Sequence, residues 1–186
     1  MKTGLVLIMI ISAVLVFSTA GYAQENITDN ATDNATDNAV AILKDAENNT
    51  VGFATFTEDD FGLVRIQVLV SGLTPGLHGI HIHEKANCTE TSFTSAGEHY
   101  NPLGKEHGLA NPKGPHAGDM PNLIVGYDGT GYMDVVTNLV TLSPGPTTLF
   151  TDNGTALVVH ADRDDQITNP SGGSGARVMC GAIEKR

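Results

Sequence analysis

Basic residues are scarce in this chain: 10 Lys and Arg stand against 21 Asp and Glu, a formal net charge of −11. A surface of that sign repels phosphate backbones and anionic lipid alike, which argues against nucleic acid as a partner and against electrostatic membrane binding. Cysteine is as sparse, with only Cys88 and Cys180, too few for a scaffold held by many bridges. Helical periodicity is missing, since no segment repeats apolar residues at every third or fourth position. Long apolar runs are lacking too. The longest, Leu5–Phe17, falls short of the roughly 20 residues that span a bilayer.

That run fits another purpose. Lys2 precedes it and Gly21-Tyr22-Ala23 follows it, the pattern of a secretory signal peptide cleaved before Gln24. Residues 1–23 would then be removed, with membrane contact only in transit. The protein would work in the periplasm, outside the cell or at the cell surface. Losing Lys2 leaves nine basic residues against 21 acidic ones, a charge of −12. In an oxidising compartment an even cysteine count suggests one disulfide, Cys88 to Cys180. It would close a loop of about 90 residues, worth on the order of 4–5 kcal/mol in a chain-entropy account. Residues 24–38 carry repeats of Thr-Asp-Asn-Ala with no apolar face, as expected of a flexible spacer. Asn26, Asn30 and Asn34 in that spacer open Asn-x-Thr sequons, as do Asn48, Asn87 and Asn153 further on; glycans there would make a stalk of the spacer.

From residue 39 onward the hydrophobic period is two. Val64, Ile66, Val68 and Val70 alternate with Arg65, Gln67 and Leu69, the mark of a half-buried strand. Ala39–Lys44, Val51–Thr57, Gly79–His83, Tyr132–Val136, Ala156–His160 and Arg177–Ile183 read as further strands, separated by turns such as Thr74-Pro75-Gly76. Residues 39–186 are therefore expected to form one all-β domain, a β-sandwich or flattened barrel. Two long connections, Glu84–Asn122 and Ala161–Ala176, interrupt the rhythm. Loops of that length in a compact domain usually carry function.

All seven histidines fall in dense local contexts: His78, His81 and His83 in GLHGIHIHE, then His99, His107, His116 and His160. On a strand, residues two apart share a face, so His81 and His83 project together while Ile80 and Ile82 enter the core. His160 ends another apolar strand and can join them. His99, His107, His116 and Asp119 lie in the first long loop and offer three nitrogens and a carboxylate, a closed tetrahedral shell suited to zinc. The donors divide into an imidazole-rich site suited to copper and a zinc site.

The segments GLHGIHIHEKANC, SAGEHYNP, KEHG, PHAGD, LVVHADRDD and GSGARVMCGAI resemble, in order, the signatures of the Cu/Zn superoxide dismutases. The resemblance implies a Greek-key barrel of about eight antiparallel strands with two long functional loops. It implies one copper and one zinc per subunit. His81, His83, His99 and His160 would hold copper, and His99, His107, His116 and Asp119 zinc, with His99 as the bridge. It also implies that His78 and Asp164 support the ligands from outside, that Arg177 docks the anion, and that Cys88 and Cys180 form the intrasubunit disulfide. The short 162–177 segment, the insert around Asn87–Ser95 and the signal peptide are similar to the exported prokaryotic branch. That branch often carries a lysine in the disulfide loop. Here Thr89–Glu98 has none and Lys85 is the nearest, which implies weak long-range steering.

The implied activity is dismutation of superoxide, an antioxidant reaction in which copper cycles and the protein acts alone or as a homodimer. The alternative is an extracytoplasmic copper- and zinc-binding protein without turnover. A zinc hydrolase is disfavoured, because the His3Asp shell leaves no place for a water and no Glu base stands beside it.

Overall fold

The computed structural model describes residues 38–186, so the expected signal peptide and nearly all of the expected spacer lie outside the described residues. Nine strands account for the ordered framework: β1 (Asn38–Lys44), β2 (Thr50–Glu58), β3 (Val64–Val70), β4 (Gly76–His78), β5 (Ile80–His83), β6 (Leu123–Val125), β7 (Gly131–Thr137), β8 (Ala156–His160) and β9 (Arg177–Lys185). A single 3₁₀ turn at Thr94–Ala96 is the only helix among the described residues. β1 already takes in Asn38, one residue earlier than the domain boundary read from the repeats.

The strand order is β4-β6-β7-β3-β2-β1-β9-β8-β5, with every pairing antiparallel. β4 and β5 stand at opposite ends of that order, yet only Gly79 separates them in sequence. One nearly continuous strand therefore pairs with β6 through its first half and with β8 through its second, and this closes the sheet into a barrel. Closure leaves no free edge for another chain to add to. The expected all-β barrel is present, with nine strands where about eight were expected. β4 and β6 are three residues each, too short to show a period of two.

Alternation decides which residues fill the barrel. Val64, Ile66, Val68 and Val70 of β3 are buried, as are Ala39, Ala41 and Leu43 of β1 and Ala54 and Phe56 of β2. Ile80, Ile82, Leu123, Leu157 and Val159 continue the same core. Each fully buried side chain of this size contributes roughly 1.5–3 kcal/mol relative to exposure. Glu58, at the end of β2, is the buried charge outside the histidine region. Its carboxylate accepts from Leu142 N, Ser143 N and Ser143 Oγ, and so fastens the long β7–β8 connection to the barrel.

Two connections converge on the β5 side. The 84–122 segment folds back along β5, where Ile82 N donates to Gly118 O (2.9 Å) and Tyr100 N to Ile82 O (2.8 Å). Cys88 and Cys180 are joined, with Cα atoms 5.7 Å apart, which ties this segment to β9. The 161–176 segment docks at Gly79, whose N donates to Asp162 O (2.8 Å). A Cβ at Gly79 would lie 2.7 Å from Ser174 Cβ, so only glycine permits this approach.

Candidate metal centre

All of His81, His83, His99, His107, His116 and His160 are buried, together with Asp119 and Asp164. So many polar groups leave water only when they have strong partners. β5 supplies His81 and His83 and β8 supplies His160. The first long connection brings His99 beside His83 and Asp119 beside His81 through isolated bridges to β5.

Four donors, from His81, His83, His99 and His160, lie within 4.8 Å of one another. Two of them face each other directly, His83 Nε2 and His160 Nε2, at 3.4 Å. His81 Nδ1 and His99 Nε2 are buried without any hydrogen-bond partner. On three of the four rings the remote nitrogen is firmly occupied: His81 Nε2 by Asp164 Oδ2 (2.7 Å), His83 Nδ1 by Gly97 O (3.0 Å) and His99 Nδ1 by Asp119 Oδ1 (3.1 Å). His160 Nδ1 faces Gly175 O at 3.4 Å. Each ring thus donates outward and directs a lone pair inward, as metal-ligating histidines do. Four convergent neutral imidazoles fit copper.

Beside this set, Asp119 Oδ1 gathers three ring nitrogens: His107 Nδ1 at 2.9 Å, His99 Nδ1 at 3.1 Å and His116 Nδ1 at 3.4 Å. Its other oxygen accepts from Gly108 N and His116 N, which fixes the carboxylate. Three nitrogens crowded on one oxygen, one of them, His116 Nδ1, too poorly placed to make a hydrogen bond, fit a tetrahedral cation such as zinc. The predicted set His99, His107, His116 and Asp119 is therefore brought together. The four donors at this end that all lie within 4.8 Å of one another include His81 in place of His116. His99 faces both groups, with Nδ1 toward Asp119 and Nε2 toward the imidazole set.

Asp164 links the two groups from behind. Oδ2 meets His81 Nε2, and Oδ1 meets His107 Nε2 at 3.0 Å. Asn122 holds the Asp164 backbone through Asp164 N to Asn122 Oδ1 and Asn122 Nδ2 to Asp164 O, both 2.8 Å. Gly172, in the left-handed region at φ 62°, passes so close that a Cβ there would overlap Asp164 Oδ1. His78 stands outside both donor groups: Nδ1 lies 2.8 Å from His160 O and Nε2 2.8 Å from Thr74 O, which steadies the end of β8.

Electrostatics divide the rings. Burial pushes His83 well below the usual histidine range, His99 to about 4 and His160 to about 3, so these are neutral and able to ligate at neutral pH. His107 goes the other way. Burial opposes its charge, but the Asp119 and Asp164 carboxylates on either side prevail and raise it to about 9. The same contacts hold both carboxylates well below their ordinary range against the cost of burial.

Arg177 opens β9 opposite His160, and the register shifts between Val159 and His160. That bulge aims the arginine at the histidine end of β8. Its Nη1 donates to Phe93 O (2.7 Å) in the disulfide segment, and the half-buried guanidinium is close enough to disfavour protonation of His83 and His160. Lining residues missed by sequence reasoning are Asn122 and the carbonyls of Gly97, Gly175 and Phe93. Backbone acceptors carry no residue-type signal, and nothing at Asn122 distinguishes it from a loop residue.

A family model described as copper/zinc superoxide dismutase matches residues 50–183. The chain belongs to the Cu/Zn superoxide dismutase family. A Cu-Zn superoxide dismutase of Aquifex aeolicus is 42% identical over 147 residues, 78% of this chain and 85% of that protein. A superoxide dismutase-like protein of Bacillus subtilis is 44% identical over 145 residues, 76% of this chain and 73% of that one. The crystal structure of a SOD-like protein from Bacillus subtilis superposes with a TM-score of 0.71 at 43% identity, covering 77% of this chain and 96% of that chain. As a family member the protein uses copper and zinc, and its histidine and aspartate groups are arranged to take both.

Proposed function

We propose that the linked histidine groups are the working centre of a superoxide dismutase, with His81, His83, His99 and His160 holding copper and His99, His107, His116 and Asp119 holding zinc. The observation that carries this is His99, whose two nitrogens face the two donor sets, one bonded to Asp119 and the other buried without a partner. The reaction turns two superoxide anions and two protons into dioxygen and hydrogen peroxide, for which copper supplies the one-electron couple and zinc only a fixed positive charge.

The chain's own residues do the rest. Arg177 attracts the monoanion and orients it, with Phe93 O bracing the guanidinium. His99 Nε2 is the atom placed to take up and deliver a proton, and burial keeps that proton easy to surrender. Asp164 and the Gly97 carbonyl hold His81 and His83 in the ligating tautomer. Export to the periplasm, cell surface or medium after cleavage before Gln24 is part of the same reading, supported by the N-terminal pattern of Lys2 and Leu5–Phe17. So is a homodimer, supported by six exposed apolar side chains on the outside of the barrel, Ile42, Phe53, Leu69, Tyr132, Ile124 and Leu77, each the cross-strand partner of the next.

Metal analysis together with a superoxide-decay assay tests the proposal. The expected result is one copper and one zinc per chain with rapid superoxide loss. Full metal content without accelerated loss would instead identify a copper- and zinc-binding protein. Zinc alone from copper-replete medium would overturn the centre as assigned.

A further inference from the structure

Of the buried histidines and carboxylates at the metal centre, His99 and His116 keep the most contact with water. Each is 6% exposed, against 0% for His107 and 3% for Asp119. They keep that contact on the same side. Both line a cleft of about 570 Å³ that also touches Asn153 of the β7–β8 connection and Asn169 of the second long connection. His81, His83, His107, His160 and Asp119 do not line it. Both rings that do also carry a buried nitrogen without a hydrogen bond, His99 Nε2 and His116 Nδ1. The zinc donor set therefore comes nearest to solvent here.

The exposed part of the cleft carries two carboxylates, Glu84 and Glu98. The backbone brings them together. His83 and His99 form an antiparallel bridge, so the residues just outside it, Glu84 and Glu98, stand opposite each other. Glu84 N donates to Glu98 O (3.0 Å), and Glu98 N donates to Glu84 Oε1 (3.4 Å). Their charges have only loose company. Lys85 Nζ lies 3.8 Å from Glu84 Oε1 with both side chains in water, a contact that contributes little. Glu98 lends its charge to Arg177 without an ion pair between them. The carboxylates are thus open to a ligand, at the mouth of a cleft that ends on two zinc donors.

We propose that this cleft is the port through which zinc reaches its site, with Glu84 and Glu98 as landing ligands that pass the ion inward to His116 and His99. The port rests on the reading of His99, His107, His116 and Asp119 as the zinc ligands. Ligand chemistry favours it. Carboxylate oxygens bind zinc directly, whereas Lys105 on the same wall has no lone pair to offer while protonated and only opposes the approach. Burying a bare dication is prohibitively costly. A route that replaces departing water by carboxylate and then by imidazole avoids that cost. The field of the whole chain, at −11, gathers cations around it. Copper has no such reason to use this route, because three of its four donors lie away from the cleft.

Rapid mixing of zinc with the metal-free, disulfide-intact protein measures uptake, and zinc-loaded protein in excess chromogenic chelator measures release. Glu84→Gln and Glu98→Gln should each slow uptake about twofold or more, and the double variant about fivefold or more, as loss of steering charge does. Release should slow in step, since the four buried ligands set the affinity and the affinity is the ratio of the two rates. Lys105→Gln should speed both. Glu47→Gln, which removes the same charge in the exposed β1–β2 turn, should change neither. Superoxide turnover is no substitute for these rates, because Glu98 also acts on Arg177. Release is read on loaded protein, so it holds even where a variant is unstable without metal. Rates unchanged in the double variant would overturn the port and leave the zinc site standing. Equal slowing by Glu47→Gln, or of copper uptake, would do the same. Release that quickens as affinity falls would make the carboxylates supports of the site, not its entrance. A wild-type protein that takes up no zinc would overturn both port and site.

Discussion

Arg177 and Asp164 are buried or half-buried charges in contact with groups that ligate nothing or with the outer nitrogens of ligands, and each makes a separable demand. Arg177→Ala should keep both metals and lose about tenfold or more in superoxide turnover, because a charge-assisted contact contributes about 1.5–3 kcal/mol. Arg177→Lys should recover part of that loss, since the charge remains while the planar fork is gone. An alanine variant with full metal and an unchanged rate would show that the arginine serves only to hold Phe93. Asp164 touches one ring of each donor group, His81 and His107. Asp164→Asn should therefore weaken copper and zinc together, by about 10–100-fold in affinity, the usual effect of losing an outer partner. Chelator competition measures both. Loss of zinc affinity alone would mean that the His81 contact orients nothing.

The disulfide segment matters as an element because three tasks meet in it. Cys88 ties it to Cys180 on β9, Phe93 braces Arg177, and Gly97 orients His83. Reducing the bridge should lower the melting temperature and the rate, with circular dichroism showing the barrel strands intact. The strands owe their stability to the core around Phe56, Ile66 and Ile80, whereas the segment itself packs only a small satellite cluster of Phe93, Ala96, Ala156, Val158 and Cys180. Reduction that leaves the rate untouched would place the arginine's support elsewhere.

Across the whole molecule, the buried rings make the metal-free protein sensitive to pH from both sides. His99 and His160 are pushed down to about 4 and about 3, below the ordinary histidine value of about 6.5. A lowered folded value means their stability is fully present above about 6.5 and is lost as pH falls through the folded values. His107 is raised to about 9, so its contribution is present below about 6.5 and is lost as pH rises through the folded value. The melting temperature of the metal-free protein is expected to peak between these limits. Zinc uptake near neutral pH should release a proton from His107, readable as a buffer-dependent heat in calorimetry. A heat independent of the buffer would show that His107 is already neutral. Raising ionic strength should slow turnover only modestly, because Arg177, the arginine proposed to dock the anion, is half-buried and screening acts on exposed, distant charges. A steep fall in rate with salt would locate steering charges outside this segment.

Much of this was open to reading in the linear chain, and the reasons are local. Alternation in β3 and in Ile80–His83 is set by the two-residue repeat of a strand, so His81 and His83 had to share a face whatever the remainder did. Donor chemistry is likewise intrinsic to residue type, which is why three histidines and an aspartate in one loop pointed to zinc. Other features exist only because distant segments meet. Barrel closure through Gly79, the Asp164 bridge between His81 and His107, and the alignment of six apolar side chains all depend on register between strands far apart in sequence. Leu69 and Tyr132 each look like an ordinary exposed residue until β3 and β7 pair. β4 and β6 escaped notice because three residues cannot display a period, and they form because the barrel needs partners for Gly76–His78 and Leu123–Val125. Local spacing therefore determined which side chains carry the chemistry, while pairing register and the entropy already spent in closing the barrel decided where those side chains meet.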